Sequence, residues 1–229
     1  MFKSLLWLSE VTSTQAILKE GRLRPWTLVV SNKQTSGRGR LGRVWYSFEG
    51  GLYLSFSLSA GFKDERSSPL VVANAVADYL KSLGFMPAIK WVNDVYLQGK
   101  KVCGVLVEKL REQLIVGIGI NLNQESFPQD LEAVSLKMIL GKTFEKVDFL
   151  LGLMDHLQKN LERLMREGFS TFRKSIEDRL LFKGAEVILY TPEPVVGILE
   201  GLEEDGSLML LTQEGLKSFQ VGELTLRPL

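Results

Sequence analysis

KWVNDVYLQGKKVCGVLVEKLREQLIVGIGIN, residues 90–121, decides the fold class of this chain of 229 residues. Strand-like stretches follow one another at 87–91, 95–97, 102–108 and 113–120. Gln98-Gly99-Lys100 is a tight-turn candidate between the middle two, so Lys101 falls where the second hairpin strand begins. Upstream, Leu52, Leu54, Phe56 and Leu58 alternate with Tyr53, Ser55, Ser57 and Ser59, which predicts a half-buried strand. Leu5-Leu6-Trp7-Leu8 reads as a short buried strand and 27–31 as another. Thr12, Ser13 and Thr14 can cap a short helix ending at Gly21, and Ser68-Pro69 opens a helix that ends at Gly84.

Downstream the period changes. From about 131 to 181 it is helical, with Phe149, Leu150, Leu153, Leu157, Leu161 and Leu164 at the spacing of an amphipathic stripe. Gly168 interrupts, and 169–181 resumes as a shorter helix. The tail holds short alternating runs at 186–190, 195–199, 207–212, 216–221 and 224–227. Pro192, Pro194, Asp205-Gly206, Glu214-Gly215 and Gly222 punctuate them, which predicts a small all-β barrel. The expected fold is α+β. A mixed, mostly antiparallel sheet flanked by helices on one side occupies 1–182, and a small C-terminal barrel occupies 183–229.

An apolar fraction of 45% and a charged fraction of 24% are those of an ordinary globular protein. A net charge of +1 argues against a protein whose main task is coating nucleic acid or an anionic membrane, so anion recognition has to be local. Cys103 is the only cysteine, which excludes an internal disulfide or a multi-cysteine metal site and fits a reducing compartment. No run reaches the roughly 18 apolar residues of a membrane span, and Met1-Phe2-Lys3 leads into strand-like sequence without a secretion signal. A cytoplasmic protein is expected.

Local anion recognition has a candidate in the glycine-rich stretch at 35–50, which reads as a long surface loop. Lys33, Arg38, Arg40 and Arg43 fall between Asn32 and Phe48 without a single acidic residue, and Gly37, Gly39 and Gly42 alternate with the arginines. Glycine lets successive N–H groups turn toward one point, and arginine adds planar forks suited to carboxylate and phosphate oxygens. Such a loop repels itself and should stay mobile until an anion neutralises it. Trp45 beside it can stack on a base. A solvated basic turn and a nucleic-acid arm are the competing readings, the latter weakened by the lack of further basic patches. Lys90, Asn93, Asp94 and Lys101 lie within twelve residues of strand and turn. Taken singly, Asn93-Asp94 reads as an Asx-type turn and Lys101 as a solvated hairpin lysine. Together with the loop they supply what adenylation of a carboxylate requires: cations for phosphoryl charge, a polar group for metal or base, and fixed alignment.

Ser13-Thr14-Gln15, Gln34, GRGRLGRVW at 37–45, KWVND at 90–94, Lys101 with Gly104, and GIGIN at 117–121 occur in this order. In these segments the chain resembles the biotin protein ligases, over about residues 7–123, and more loosely in GSLMLLTQEG at 206–215 and Gly222-Glu223. Val92 departs from the family pattern, which has proline there. The resemblance implies a biotin/lipoate ligase-like catalytic domain with an SH3-like C-terminal barrel. It implies an enzyme that forms biotinyl-5′-AMP from biotin and ATP, with Mg²⁺, and passes biotin to a lysine of a biotin carboxyl carrier protein, an acetyl-CoA carboxylase subunit.

Carried over by position, Ser13, Thr14 and Gln34 would hold the biotin ring, with Gln15 near. Gly37, Gly39 and the 37–40 backbone would line the biotin side, and Arg38 and Arg40 would meet carboxylate and phosphate. Lys101 would bridge carboxylate and α-phosphate. Gly104, Gly117 and Gly119 would let main chain approach the ligand. Arg43 would join the ATP site, Trp45 would cover the adenine and Asn121 would bond its edge. Asn93 would serve the metal–phosphate region, as a candidate Mg²⁺ ligand, and Asp94 the incoming lysine.

Cys103 reads as a small strand residue, His156 as a helix-surface or core-edge residue, and Trp7, Trp26 and Trp91 as core aromatics. There is no P-loop. Three rivals are a lipoate or octanoate ligase, a biotin-responsive repressor, and a non-catalytic biotin-binding module. The glycine–arginine loop and the WVND segment speak against the first. The second would need a helix-turn-helix ahead of residue 5, and the third would need neither Lys101 nor Asn121. No DNA or membrane partner is expected, and a homodimer is a candidate assembly.

Overall fold

The computed structural model describes residues 2–21, 23–191, 193–220 and 225–228. The alternating segments form β1 (Ser4–Val11), β2 (Thr27–Gln34), β3 (Leu52–Ser59), β4 (Ala88–Lys90), β5 (Asp94–Leu97), β6 (Lys100–Leu110) and β7 (Gln113–Ile120). They build one sheet in the order β1-β2-β3-β7-β6-β5-β4. Only β1 and β2 pair in parallel, while every other neighbouring pair is antiparallel.

On one face, Leu52, Leu54, Phe56 and Leu58 pack into a core with α2 (Ser68–Ser82) and α4 (Lys146–Glu167). Pro69 sits in the first turn of α2, where a missing N–H costs nothing. Helix α2 is buried nearly all round because it lies between sheet and α4. In α4 the expected stripe, Phe149 to Leu164, is buried, each such side chain contributing about 1.5–3 kcal/mol relative to exposure. Helix α1 (Thr14–Lys19), capped by Ser13, lies on the opposite face, where Leu18 packs on Val29 and Ile115. Helices are therefore not confined to one side.

Three further expectations change. Strand β1 is not buried: it is an edge strand, with Leu5 54% and Leu6 36% exposed, and among the described residues nothing pairs on its outer side. Strand β3 is not half-buried either. Tyr53, Ser55 and Ser57 are also buried, since β3 is central and its polar face lies under α1 and the cavity described below. The helical stretch begins only with α3 (Leu136–Leu140), and after Gly168 it continues as a 3₁₀ turn and α5 (Arg173–Glu177) instead of a helix over 169–181.

The tail forms β8 (Glu186–Tyr190), β9 (Val195–Leu202), β10 (Leu208–Thr212), β11 (Gly215–Phe219) and β12 (Thr225–Pro228), an antiparallel sheet in the order β11-β10-β9-β8-β12. Pro192, Gly222-Glu223 and Leu224 lie outside the described residues. The inner residues Val187, Leu189, Leu199, Leu202, Leu208 and Leu210 join the same core cluster as the large sheet. Trp91 Nε1 donates to the Gly206 carbonyl at 3.1 Å, tying the 90–93 turn to this smaller sheet.

Candidate active site

Across the sheet, Tyr53 pairs with Gly119, Gly119 with Gly104, and Gly104 with Asp94. Paired residues point to the same face, so this row places two glycines between a tyrosine and an aspartate. A neighbouring row joins Ser55, Gly117 and Leu106. The missing side chains leave a trough in the sheet, which is the floor of a cavity of about 170 Å³.

Lys101 reaches this face by an irregularity. Three residues before Gly104, it would point to the opposite face of a regular strand. A β-bulge where the register shifts between Val95 and Tyr96 puts Lys101 opposite Tyr96, and so beside Asp94. Lys101 Nζ then lies 2.7 Å from Asp94 Oδ2 and 5.2 Å from the centre of the Trp45 ring. The turn before β5 presents Asn93, whose Nδ2 donates to the Val105 carbonyl at 2.7 Å. Its Oδ1 accepts from Arg40 Nη1 at 3.1 Å, so the basic loop is tied across the cavity to the hairpin. Val92 is buried, and the Trp91–Val92 peptide bond is cis.

The loop itself is folded on its own backbone. Gly39 N–H donates to the Arg43 carbonyl at 2.7 Å, Trp45 N–H to the Gly37 carbonyl at 3.0 Å, and Arg38 and Val44 form an antiparallel bridge. Leu41 and Gly42 take left-handed backbone at its tip. Trp45 lies in the glycine trough: a Cβ on Gly119 would sit 2.4 Å from its indole, and one on Gly104 2.7 Å. Gly117 makes room for Gln15 in the same way, at 2.7 Å. The cavity glycines accommodate the protein's own side chains, which sequence alone could not assign.

At the other end, Gln34 Oε1 accepts from Thr14 N–H at 2.9 Å and from the Thr14 hydroxyl at 3.2 Å. Thr14 and Ser55 hydroxyls lie 2.7 Å apart, and Gln34 Nε2 donates to Ser47 Oγ at 2.9 Å. Gln15 Nε2 donates to the Ile115 and Leu106 carbonyls. Ser13 Oγ accepts from Ala16 N–H as the helix cap. These are fixed hydrogen-bonding groups on packed elements, the kind that orient a small polar ring.

Most residues named from the sequence line this one cavity, with loop, hairpin and α1 converging on it. Gly37 and Asn121 do not. Gly37 braces Trp45, while Asn121 is 3% exposed and its Nδ2 donates to the Lys101 carbonyl at 3.2 Å. Ser55 and Ser47 were missed, while Lys90 was named with the hairpin but given no role of its own. Ser55 was legible as the polar face of β3, but nothing local marked that face as a cavity wall. Lys90 lines the cavity with its Nζ 5.7 Å and 5.9 Å from the Tyr96 and Phe182 ring centres. Burial pulls its ammonium below the ordinary lysine value, and Asp94 partly opposes this. Trp45 Nε1 and Asp94 Oδ1 are buried without a hydrogen-bond partner, and such orphans cluster where a ligand belongs. Among the described residues, no three His, Cys, Asp or Glu side chains are grouped to hold a metal.

Residues 8–125 match the model of the biotin/lipoate A/B protein ligase family. The bifunctional ligase/repressor BirA of Bacillus spizizenii is 32% identical over 243 residues, covering 99% of this chain and 75% of that protein. A biotin--[acetyl-CoA-carboxylase] ligase of Paracoccus denitrificans is 29% identical, covering 94% of this chain and 97% of that one. The Aquifex aeolicus biotin protein ligase, solved in complex with biotin and ATP, is 42% identical with a TM-score of 0.95, each chain covered in full. With its motifs gathered around one cavity and matched over that span, this chain belongs to the biotin/lipoate A/B protein ligase family.

Proposed function

We infer that this chain activates biotin with ATP and transfers it to a protein lysine. The biotin carboxylate attacks the α-phosphorus, biotinyl-5′-AMP forms and pyrophosphate leaves. A lysine amine of a biotin carboxyl carrier protein then attacks the anhydride carbonyl and expels AMP. The observation that carries this reading is the pairing of Lys101 with Asp94 beside the tie between Arg40 and Asn93, in the wall of one cavity.

Each residue then has a task in its observed place. Thr14, Gln34 and Ser13 hold the ureido ring, with Gln15 fixed beside them. Arg38, Arg40 and the Gly39 backbone meet carboxylate and phosphate. Lys101 bridges carboxylate and α-phosphate, where preorganised charge lowers the barrier. Trp45, which lies on Gly104 and Gly119, would cover the adenine, and Arg43 would add charge at the ATP side. Asp94 pairs with Lys101 and would receive the carrier lysine. Asn121 acts through the Lys101 main chain. Mg²⁺ fits as an ion held mainly by phosphate oxygens, with Asp94 Oδ1 the orphaned carboxylate oxygen in the wall. When bound it neutralises phosphate charge. Asn93 Oδ1 is occupied by Arg40 in this arrangement. A reducing cytoplasm suits the lone Cys103, and no helix among the described residues is long and apolar enough to cross a membrane.

Intact mass spectrometry of a carrier domain incubated with the chain, ATP, Mg²⁺ and biotin tests this. Octanoate and lipoate serve as competing acids. Biotin must support modification and pyrophosphate release. Modification by octanoate alone would move the chain to the lipoate side of its family.

A further inference from the structure

Behind the cavity wall, three buried side chains form one hydrogen-bonded line. Tyr53, Asn121 and Gln124 are 1%, 3% and 3% exposed. The Tyr53 hydroxyl donates to the Phe48 carbonyl at 2.6 Å. Gln124 Nε2 lies 3.3 Å from Tyr53 Oη and 3.4 Å from Asn121 Oδ1, and Asn121 Nδ2 donates to the Lys101 carbonyl. One end of the line is therefore main chain where the basic loop returns to β3, and the other is main chain of the lysine that pairs with Asp94. The backbone is clamped at both ends. Asn123 N–H donates to the Gly50 carbonyl at 2.9 Å, and Asn121 N–H to the Val102 carbonyl at 2.8 Å. A Cβ on Gly51 would lie 2.0 Å from Tyr53 Oη, so the loop's return leaves no room beside the line. Burial pushes the Tyr53 hydroxyl up from its ordinary value, which keeps it a protonated donor at working pH. Gln124 Oε1 is buried without a partner, so the amide oxygen adds nothing to the line and its donors alone connect the two neighbours.

We propose that Tyr53 and Gln124 are positioning residues for adenylation, coupling the return of the basic loop to the main chain of Lys101 through Asn121. Closing the loop and placing the lysine then become one event. Neither residue lines the cavity, so neither touches the ligand directly. The proposal rests on the adenylation reading above.

Tyr53→Phe, Gln124→Leu and the double variant test it in the full chain. Pyrophosphate release is measured with biotin and ATP, and trypsin cleavage after Arg38, Arg40 and Arg43 is timed with both ligands bound. Each single variant should lower kcat five- to tenfold and speed loop cleavage by a similar factor, with KM for biotin changed less than twofold. The double variant should be no worse than the poorer single one, because both interrupt the same line. Singles within twofold of the parent, losses that multiply in the double, or a fall matched by an equal rise in biotin KM would each overturn the coupling. If Gln124→Leu does not fold, Tyr53→Phe, which removes one oxygen, decides by kcat and loop cleavage. A parent inactive with biotin and ATP would sink the adenylation reading and this proposal with it, whereas an active parent with unaffected variants sinks the proposal alone.

Discussion

Replacing Gly119 with alanine adds one methyl group to the floor of the cavity, where the Trp45 indole already lies. The new Cβ would sit 2.4 Å from indole Cε2 and Nε1 and 2.7 Å from Cζ2. Ordinary carbon contacts begin near about 3.5 Å, so the ring has to retreat by about 1 Å. The indole also uses the space left open at Gly104, where an added Cβ would lie 2.7 Å from Cζ3, so the ring is seated on both glycines. Gly119 is not among the glycines with positive φ, so alanine strains no backbone and the fold should persist. Overpacking of this kind costs ~1–3 kcal/mol, which lowers the population with Trp45 in place by roughly five- to 150-fold. Adenylate formation and retention should fall within that range, measured by pyrophosphate release and by filter-bound biotinyl-5′-AMP. The same substitution in a Trp45→Ala background should cost less than twofold, because the obstacle is gone. An equal loss in both backgrounds would mean that Gly119 is needed for the ligand's own approach, and the trough would not be the seat of the indole.

Lys101→Met should lower adenylate formation at least about a hundredfold, the ~3–4 kcal/mol typical of preorganised charge at a transition state, while Lys100→Met stays near the parent. The reverse ranking would place the phosphate-side cation one residue earlier. Arg40→Gly breaks the bond to Asn93, a loss of ~1.5–3 kcal/mol, so adenylate should still form but escape ten- to a hundredfold faster and label a bystander protein. Bystander labelling no greater than with the parent would refute the loop as a lid. Lys90 is held below its ordinary pKa by burial, so unfolded chain binds more protons and Lys90 costs stability at neutral pH. Lys90→Met should therefore raise Tm near pH 7, and the gain should shrink as pH rises through the folded pKa toward that of free lysine; a lower Tm at pH 7 refutes this. Truncation after residue 182 should abolish cooperative unfolding, because the leucines of β8, β9 and β10 complete the main core. A truncated chain with an intact near-UV circular dichroism spectrum would show that 1–182 stands alone.

Much of the molecule was legible in its residues. A period-two run marked β3 and the 3.6-residue stripe marked α4, since both report which side chains share a face, and strand-like stretches marked β6 and β7. Ser13 was found as a cap and Lys101 at the start of β6 because such signals are local. The loop and hairpin residues were legible as polar groups that gather around one cavity, because arginine, asparagine and lysine carry their donors in any context. Where the reading failed, the deciding neighbour was distant in sequence. Strand β1 was taken as buried although no described strand pairs on its outer side, and the serine face of β3 was taken as exposed although α1 covers it. The sequence division at 182 rests on a change of pattern, and residues from both sides of it pack into one core cluster.

The sequence by itself determined most of the strands, the long helices α2 and α4, the cations and the order of the motifs. Tertiary structure decided which way Lys101 points. Alternation alone would turn it away from Gly104, and a bulge set by pairing with β5 turns it back to Asp94. The trough is likewise a property of register: Gly104 and Gly119 are merely small until antiparallel pairing sets them side by side beneath Trp45. Register is a sum over contacts between separate strands, and a shift of one residue reverses every side chain. No local pattern in a single strand carries that information.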